Sequence, residues 1–153
     1  LFRSHVIKVN VEGASDFNTA RSIGKAIVNS PLVTTAVFGN DPNVGRLLSS
    51  IGDFAGNNGM ELDTSSSTDS LVIALGGEVV FEKGSFRLDQ EKEVRLSEYL
   101  KSRMLDSEHK EFPAHDLTVD INVRMGTKGT GSAVVYGTDL SYGYVRENAD
   151  YRS

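Results

Sequence analysis

Apolar and polar residues alternate at the start of the chain and then change to a helical spacing. The alternation over residues 5–11 predicts a half-buried strand. Apolar residues then recur at helical spacing up to about Val28, which predicts an amphipathic helix capped by Ser15 or Asp16. The β-branched run over residues 32–38 predicts a second strand.

The rest of the chain shows the same two kinds of pattern. The elements predicted there are a helix after the loop 39–43, strands 71–75 and 78–82 joined by Gly76 and Gly77, a helix 88–104, strands 117–123 and 132–136, and a short helix 141–149. The predicted order is β-α-β-α-β-β-α-β-β-α, and a short turn joins the last two strands. We therefore predict an α+β (mixed α/β) fold, with helices packed on a mixed, partly antiparallel sheet, as a single domain over residues 1–153.

Composition and charge narrow the class of protein. The chain has 153 residues, a net charge of −5 and no cysteine, which excludes disulfides and thiolate metal sites. Nucleic-acid binding requires a basic face, and Lys and Arg are scattered here, so no nucleic-acid partner is expected. The apolar runs are too short for a membrane span and no signal peptide is apparent, so we expect a soluble, cytoplasmic protein with no membrane partner. Because a strand pattern follows Leu1 at once, and Leu1 is not Met, we expect a piece of a longer polypeptide.

The titratable side chains that could support catalysis are few. The three histidines are His5, in the first strand, and His109 and His115, in a charged connection. We predict that all three are solvated and have no catalytic role. The chain has no Gly-x-Ser-x-Gly motif, and no histidine pair has helical metal-ligand spacing, so neither a hydrolase of that type nor a metal site is expected.

Three further segments could suggest ligand binding. Residues 126–131 read GTKGTG, but a strand follows them where a phosphate loop would lead into a helix, so we interpret them as a hairpin turn. The acidic run 89–93 is expected to complement a helix dipole rather than to bind a cation. Residues 40–43, NDPN, can be either a binding loop or a plain capped connection, and the residues alone leave both interpretations open.

Two long motifs resemble those of a known family. Residues 29–33 and 35–46 read NSPLV and TAVFGNDPNVGR, and residues 136–142 and 144–153 read YGTDLSY and YVRENADYRS. Together with VEGA and IGKAIVNS near the start, they are similar, in the same order, to the ornithine acetyltransferase family of bifunctional arginine-biosynthesis enzymes. The resemblance covers nearly the whole chain, although residues 56–114 are only loosely similar.

The resemblance implies the C-terminal part of the β subunit of an enzyme that cleaves itself and has an N-terminal nucleophile. It implies acetyl transfer from N-acetylornithine to glutamate through an acetyl-threonine intermediate, with no bound cofactor and with acetyl-CoA as the donor in some members. The family's nucleophilic threonine and its glutamate in a Gly-Glu-Gly segment have no counterpart here, so no catalytic residue is expected in this chain. The implied partners are the α subunit and the preceding part of the β subunit, in a hetero-oligomer, and strand 5–11 could pair with the sheet of that preceding part.

Two residues carry over from the family as candidate substrate-binding groups. Asn148 matches a substrate-binding asparagine, and Ser153 matches the family's terminal residue, usually Thr, whose end reaches the substrate. An amide can bind a carboxylate or an amine, and a terminal carboxylate can pair with an ammonium group. The chain departs from the family where Val44 replaces the usual Trp and where Thr138 replaces a common Cys.

Two other functions remain open beside the acetyltransferase. The same fold serves self-processing aminopeptidases or amidases, which the closing motif disfavours. A non-catalytic binding module that has lost the nucleophilic part is the second alternative. A member from a eukaryote would be expected in the mitochondrial matrix rather than the cytoplasm.

Overall fold

The computed structural model describes residues 3–106 and 117–139. The elements are β1 (Arg3–Ser4), β2 (Val6–Ala14), α1 (Phe17–Val28), α2 (Pro31–Phe38), α3 (Val44–Asn57), β3 (Val72–Leu75), β4 (Glu78–Glu82), β5 (Ser85–Phe86), α4 (Gln90–Ser102), β6 (Leu105–Asp106), β7 (Thr118–Arg124) and β8 (Gly131–Thr138). Strands β1 and β6 form a small antiparallel pair, and the other six form one sheet in the order β5-β4-β3-β7-β2-β8.

The six-stranded sheet is mixed, which confirms the predicted α+β class. Strand β2 pairs in parallel with β7 and antiparallel with β8, while β3 pairs antiparallel with both β4 and β7. The predicted hairpin at Gly76 and Gly77 is confirmed, because both glycines have positive φ values of 59° and 81° between β3 and β4. Since β7 and β8 occupy both edges of β2, this strand pairs within the chain rather than with an outside sheet.

One face of the sheet carries the core. Alternate residues of β2 lie opposite alternate residues of β7, and this set is at most 1% exposed: Ile7, Val9, Val11, Val119, Ile121 and Val123. Helices α1, α2, α3 and α4 bury their apolar sides in the same cluster. Helix α1 comes especially close to β8, because a Cβ on Gly24 would lie 2.6 Å from a methyl group of Val135.

The opposite face of the sheet, formed by the other alternate residues, is open. Most of its members are half-buried or exposed, and these include Lys8, Asn10, Asn122, Arg124, Val134 and Tyr136. Tyr136 is 58% exposed and Val134 is 49% exposed, although each is flanked along β8 by residues of the covered face. A sheet with one covered and one open face is typical of antiparallel and mixed sheets, and here the open face includes large apolar groups.

The prediction of a strand over residues 32–38 is wrong, because these residues belong to helix α2. Pro31 occupies the first turn, where its fixed φ suits a helix, and the Ser30 hydroxyl accepts a hydrogen bond from the Val33 amide. The helical spacing also buries Val33, Ala36 and Val37 on one side. Capping and burial together outweigh the small helix penalty of β-branched residues.

The prediction of a hairpin turn at residues 126–131 is also wrong, since β2 lies between β7 and β8. The segment instead crosses the end of β2, where the Met125 amide donates to the Glu12 carbonyl at 2.8 Å. A Cβ on Gly129 would lie 2.3 Å from the Gly13 carbonyl oxygen, and one on Gly131 would lie 2.2 Å from the Asp16 carbonyl oxygen. Glycine is therefore needed here for a close backbone crossing, and not for a turn between paired strands.

Candidate functional site

A buried ion pair joins the two ends of the described chain. His5 lies between β1 and β2 and is 0% exposed, so the prediction of a solvated His5 is wrong. Its Nδ1 lies 2.5 Å from Oδ2 of Asp139, the residue directly after β8, and Asp139 is also 0% exposed. Neither residue of the pair is accessible to solvent.

The Asp139 carboxylate is fully hydrogen bonded. Its Oδ1 accepts from the His5 backbone amide at 2.5 Å and from the Ser4 hydroxyl at 2.9 Å. The Asp139 amide in turn donates to the His5 carbonyl at 3.3 Å. Both oxygens of the Asp139 side chain are therefore bonded to the segment Ser4–His5.

The second ring nitrogen of His5 contacts helix α4 and the loop between α2 and α3. Nε2 lies 2.9 Å from the Leu100 carbonyl oxygen in α4 and 3.0 Å from Oδ1 of Asn40 in the loop between α2 and α3. The Leu100 carbonyl and Asn40 Oδ1 can only accept, so Nε2 is placed to donate, and Nδ1 faces the Asp139 side chain. Two ring nitrogens that both face acceptors favour the imidazolium form of His5.

The pKa of His5 reflects opposing causes. Burial is the largest single cause and lowers the pKa, because the imidazolium is removed from water. The hydrogen bond and charge of Asp139, with the contacts to Leu100 and Asn40, raise it by more, so the pKa lies above the ordinary 6.5. Folding thus favours the charged form of the His5 ring.

This shift predicts a stability that falls with rising pH. Folded His5 holds its proton more tightly than unfolded His5, so its contribution is complete below pH 6.5 and is lost as the pH rises through the raised pKa. Within that window the free energy of unfolding should fall by about 1.4 kcal/mol per pH unit. Urea unfolding between pH 6 and pH 9 measures this slope, and His5→Gln, which has no titrating side chain at this position, serves as the control. A slope equal in both proteins would contradict the assignment.

The loop 40–43 is a capped connection that also lines an open groove. Asn43 caps α3 by accepting from the Arg46 amide at 3.1 Å, and the Ser97 hydroxyl of α4 holds the Asn40 carbonyl at 2.9 Å. Asn40 has a positive φ of 55°, a conformation that asparagine tolerates better than most residues. The groove runs between this loop and α4, and is lined by Gly39, Asn40, Asp41, Pro42, Gln90, Glu93, Val94 and Ser97.

A comparison with models of protein families shows to which family the chain belongs. A family model described as the ArgJ family matches residues 3–153. The chain belongs to the ArgJ family. The resemblance inferred from the two long motifs is thereby confirmed.

Individual ArgJ proteins agree with this assignment. The arginine biosynthesis bifunctional protein ArgJ of Staphylococcus aureus is 38% identical over 148 residues, which are 97% of this chain and 30% of that protein. Its counterpart from Prochlorococcus marinus is 36% identical over 146 residues, which are 95% of this chain and 31% of that protein. The chain therefore spans about 30% of the length of these relatives.

A solved ArgJ structure has the same fold. The crystal structure of the arginine biosynthesis bifunctional protein ArgJ from Bacillus halodurans matches with a TM-score of 0.70 and 32% identity. The match covers 96% of this chain and 58% of that chain. The mixed sheet and its helices thus correspond to one part of a larger ArgJ fold.

The residues predicted to bind substrate are not among those described. Asn148 and Ser153 lie outside the described ranges, as do His109, His115 and the predicted helix 141–149. What the structure adds is the contact of His5 with Asp139 and Asn40, of which only Asn40 was considered for a role from the sequence, as part of the loop 40–43. The available signals were a histidine inside an apolar strand pattern and an aspartate at the end of another strand.

The acidic run 89–93 forms the N-terminal cap and first turn of α4, as predicted. The Asp89 carboxylate accepts from the Lys92 amide at 2.8 Å, and Glu91 and Glu93 occupy the first turn of α4. Over residues 3–106 and 117–139, no three histidine or acidic side chains come together as metal ligands would. None of the helices in those ranges has the length and apolar character needed to cross a membrane.

Proposed function

We propose that the chain is the C-terminal part of the β subunit of an ArgJ acetyltransferase, which transfers acetyl from N-acetylornithine to glutamate. The observation that carries this proposal is the match of the ArgJ family model over residues 3–153. The relatives from Staphylococcus aureus and Prochlorococcus marinus are named as bifunctional arginine-biosynthesis proteins, which fits an enzyme that both consumes an acetylated amino acid and makes one.

In this proposal the chemistry is divided between this chain and polypeptide outside it. The nucleophile would be a threonine at the N-terminus of the β subunit, whose own amine acts as base and whose hydroxyl forms the acetyl-enzyme. That acetyl-threonine intermediate lies outside this chain, which contributes substrate-binding groups. Asn148 would bind the carboxylate or amine of the amino acid, and Ser153, which matches the family's terminal residue, would contact the same substrate.

The open face of the sheet supports a partner of this kind. The chain spans about 30% of its relatives' length, so most of a complete ArgJ protein lies elsewhere. Val134 and Tyr136 project from an otherwise ordered strand into solvent, and a polypeptide packed on this face would remove both from water. We propose that the α subunit and the preceding part of the β subunit cover it, in a hetero-oligomer found in the cytoplasm of bacteria or the mitochondrial matrix of eukaryotes.

The test is an acetyl-transfer assay on the complete protein and on the isolated 153 residues. The complete protein should form N-acetylglutamate from N-acetylornithine and glutamate, and the isolated chain should form none, because it lacks the nucleophile. Acetyl-CoA in place of N-acetylornithine distinguishes the two possible donors. Turnover by the isolated chain would contradict the division of roles. Hydrolysis of amino-acid amides by a complete protein that transfers no acetyl group would favour the aminopeptidase alternative.

A further inference from the structure

A groove separates α4 from the loop between α2 and α3. Its loop side is formed by residues 39–42, and its helix side by Gln90, Glu93, Val94 and Ser97, which recur along one face of α4. Its volume is about 460 Å³, and clefts that bind ligands are roughly 300–1,000 Å³. Because all four helices pack on the same face of the sheet, the groove is a surface separate from the open face.

The loop side of the groove is held in place by contacts within the chain. The Asn40 carbonyl accepts from the Ser97 hydroxyl of α4 at 2.9 Å, and the side-chain oxygen of Asn40 lies 3.0 Å from Nε2 of the buried His5. The Asp41 amide donates to the Ala36 carbonyl at 2.9 Å. A surface that is already ordered loses little conformational freedom on binding, so this loop is suited to contact a partner.

Apolar groups are exposed in the groove and beside it. Val94 is 58% exposed, although α4 buries Leu96 and Leu100 on its other face. Phe38, which directly precedes Gly39 of the loop side, is 41% exposed. A polypeptide segment lying in the groove would remove Val94 from water, and burial of apolar surface favours association. An apolar side chain is therefore one part of the chemistry that fits this groove.

The two sides of the groove carry charges of the same sign. Asp41 lies on the loop side and Glu93 on the helix side, and the described residues that line the groove include no lysine, arginine or histidine. Among the described residues, no ion pair involves either carboxylate. Asp41 accepts a hydrogen bond from the Asn43 side-chain amide at 3.2 Å, which does not neutralise its charge. Since complementary charges select partners, a cationic side chain is the second part of the chemistry that fits.

We propose that the groove is the docking site for a segment of the remaining polypeptide of the complete ArgJ protein, and that this segment presents a lysine or arginine beside an apolar side chain. The proposal rests on the proposed function only in its premise that further polypeptide of the same enzyme packs on this chain, which spans about 30% of its relatives' length. The cation would lie between Asp41 and Glu93, and the apolar side chain would cover Val94. This contact is on the helical side of the sheet, and the contact proposed above is on its open face.

The experiment replaces Val94 of the complete protein with p-benzoylphenylalanine, a photo-crosslinking amino acid. Mass spectrometry of the crosslinked peptides should identify a segment outside these 153 residues that contains a lysine or arginine next to an apolar residue. The matched control replaces Glu91, which is exposed in the same helical turn but does not line the groove, and it should not crosslink to that segment. Crosslinks confined to these 153 residues, whether in the same chain or in a second copy, would overturn the proposal, as would none at all.

A second measurement tests the charge of the partner. Glu93→Lys and Glu91→Lys make the same change in the first turn of α4, so they disturb the helix dipole alike. Only Glu93→Lys should lower the crosslink yield from position 94, by about tenfold, because it brings a cation against the partner's cation. Equal yields in the two variants would overturn the proposal. A complete protein that crosslinks as expected but transfers no acetyl group would overturn the proposed function and leave the docking site standing, and acetyl transfer without the crosslink would do the reverse.

Discussion

Asp139→Asn is expected to lower the free energy of unfolding by about 3–5 kcal/mol, the usual cost of leaving one member of a buried ion pair without its partner. The His5 imidazolium would keep its bond to Leu100 but lose the negative charge 2.5 Å from Nδ1. With both groups at most 1% exposed, solvent cannot replace that charge. Equilibrium unfolding in urea at pH 6, where the wild-type ring is charged, measures the difference.

The control for this substitution is a pair of a carboxylate and a cationic side chain that lies at the surface. Glu78 and Arg95 are 2.7 Å apart with side chains 34% and 56% exposed, so Glu78→Gln should cost no more than about 1 kcal/mol. The double substitution of His5→Gln with Asp139→Asn should cost less than the sum of the two single changes, because two neutral amides can still bond each other. Equal costs for Asp139→Asn and Glu78→Gln would show that the buried pair is not charged.

Gly131→Ala is expected to lower the free energy of unfolding by about 1–3 kcal/mol or more, as for other overpacked positions. The new Cβ would meet backbone on one side: it would lie 2.2 Å from the carbonyl oxygen of Asp16 and 2.6 Å from its Cα. Backbone cannot rotate away as a side chain can, so β8 or the start of α1 must shift. The midpoint of thermal or urea unfolding measures the loss.

Gly52→Ala is the matched control, and its effect should have the opposite sign. Gly52 lies inside α3, and a Cβ there would have no atom within 4 Å. Alanine in place of glycine in a helix interior stabilises by about 1 kcal/mol. No loss of stability on Gly131→Ala would contradict the close crossing of residues 126–131 over the end of β2, and a loss on Gly52→Ala would contradict the open space around Gly52 in α3.

Local patterns predicted the elements whose stability is itself local. The alternation in β2 and β7, the glycine pair before β4 and the capped helix α4 all follow from neighbours within a few positions, and all were predicted. The prediction of a strand over residues 32–38 was wrong because it rested on the strand preference of β-branched residues alone. Ser30 and Pro31, which precede the run, start a helix there. The fold class survived this error, because the sheet is defined by the remaining strands.

These local patterns do not predict which strands pair when they are far apart in the sequence. A short glycine-rich segment between two strands normally indicates a hairpin, and nothing in residues 126–131 themselves reveals that β2 is inserted between β7 and β8. The same holds for His5 and Asp139, which are at opposite ends of the described chain and form a pair only because β2 and β8 are neighbours. The candidate site was therefore visible in the sequence as separate residues, but not as a site.

The position of β2 has a consequence for how the chain reaches this structure. Val6, near the first described residue, pairs with Thr118 and with Thr138, near the last. During synthesis β2 must wait, with its edges unpaired, until the ribosome has delivered both β7 and β8. Contacts of such high sequence separation slow folding, so the middle of this sheet is expected to close last, and the nascent strand is the part that a chaperone would need to shield.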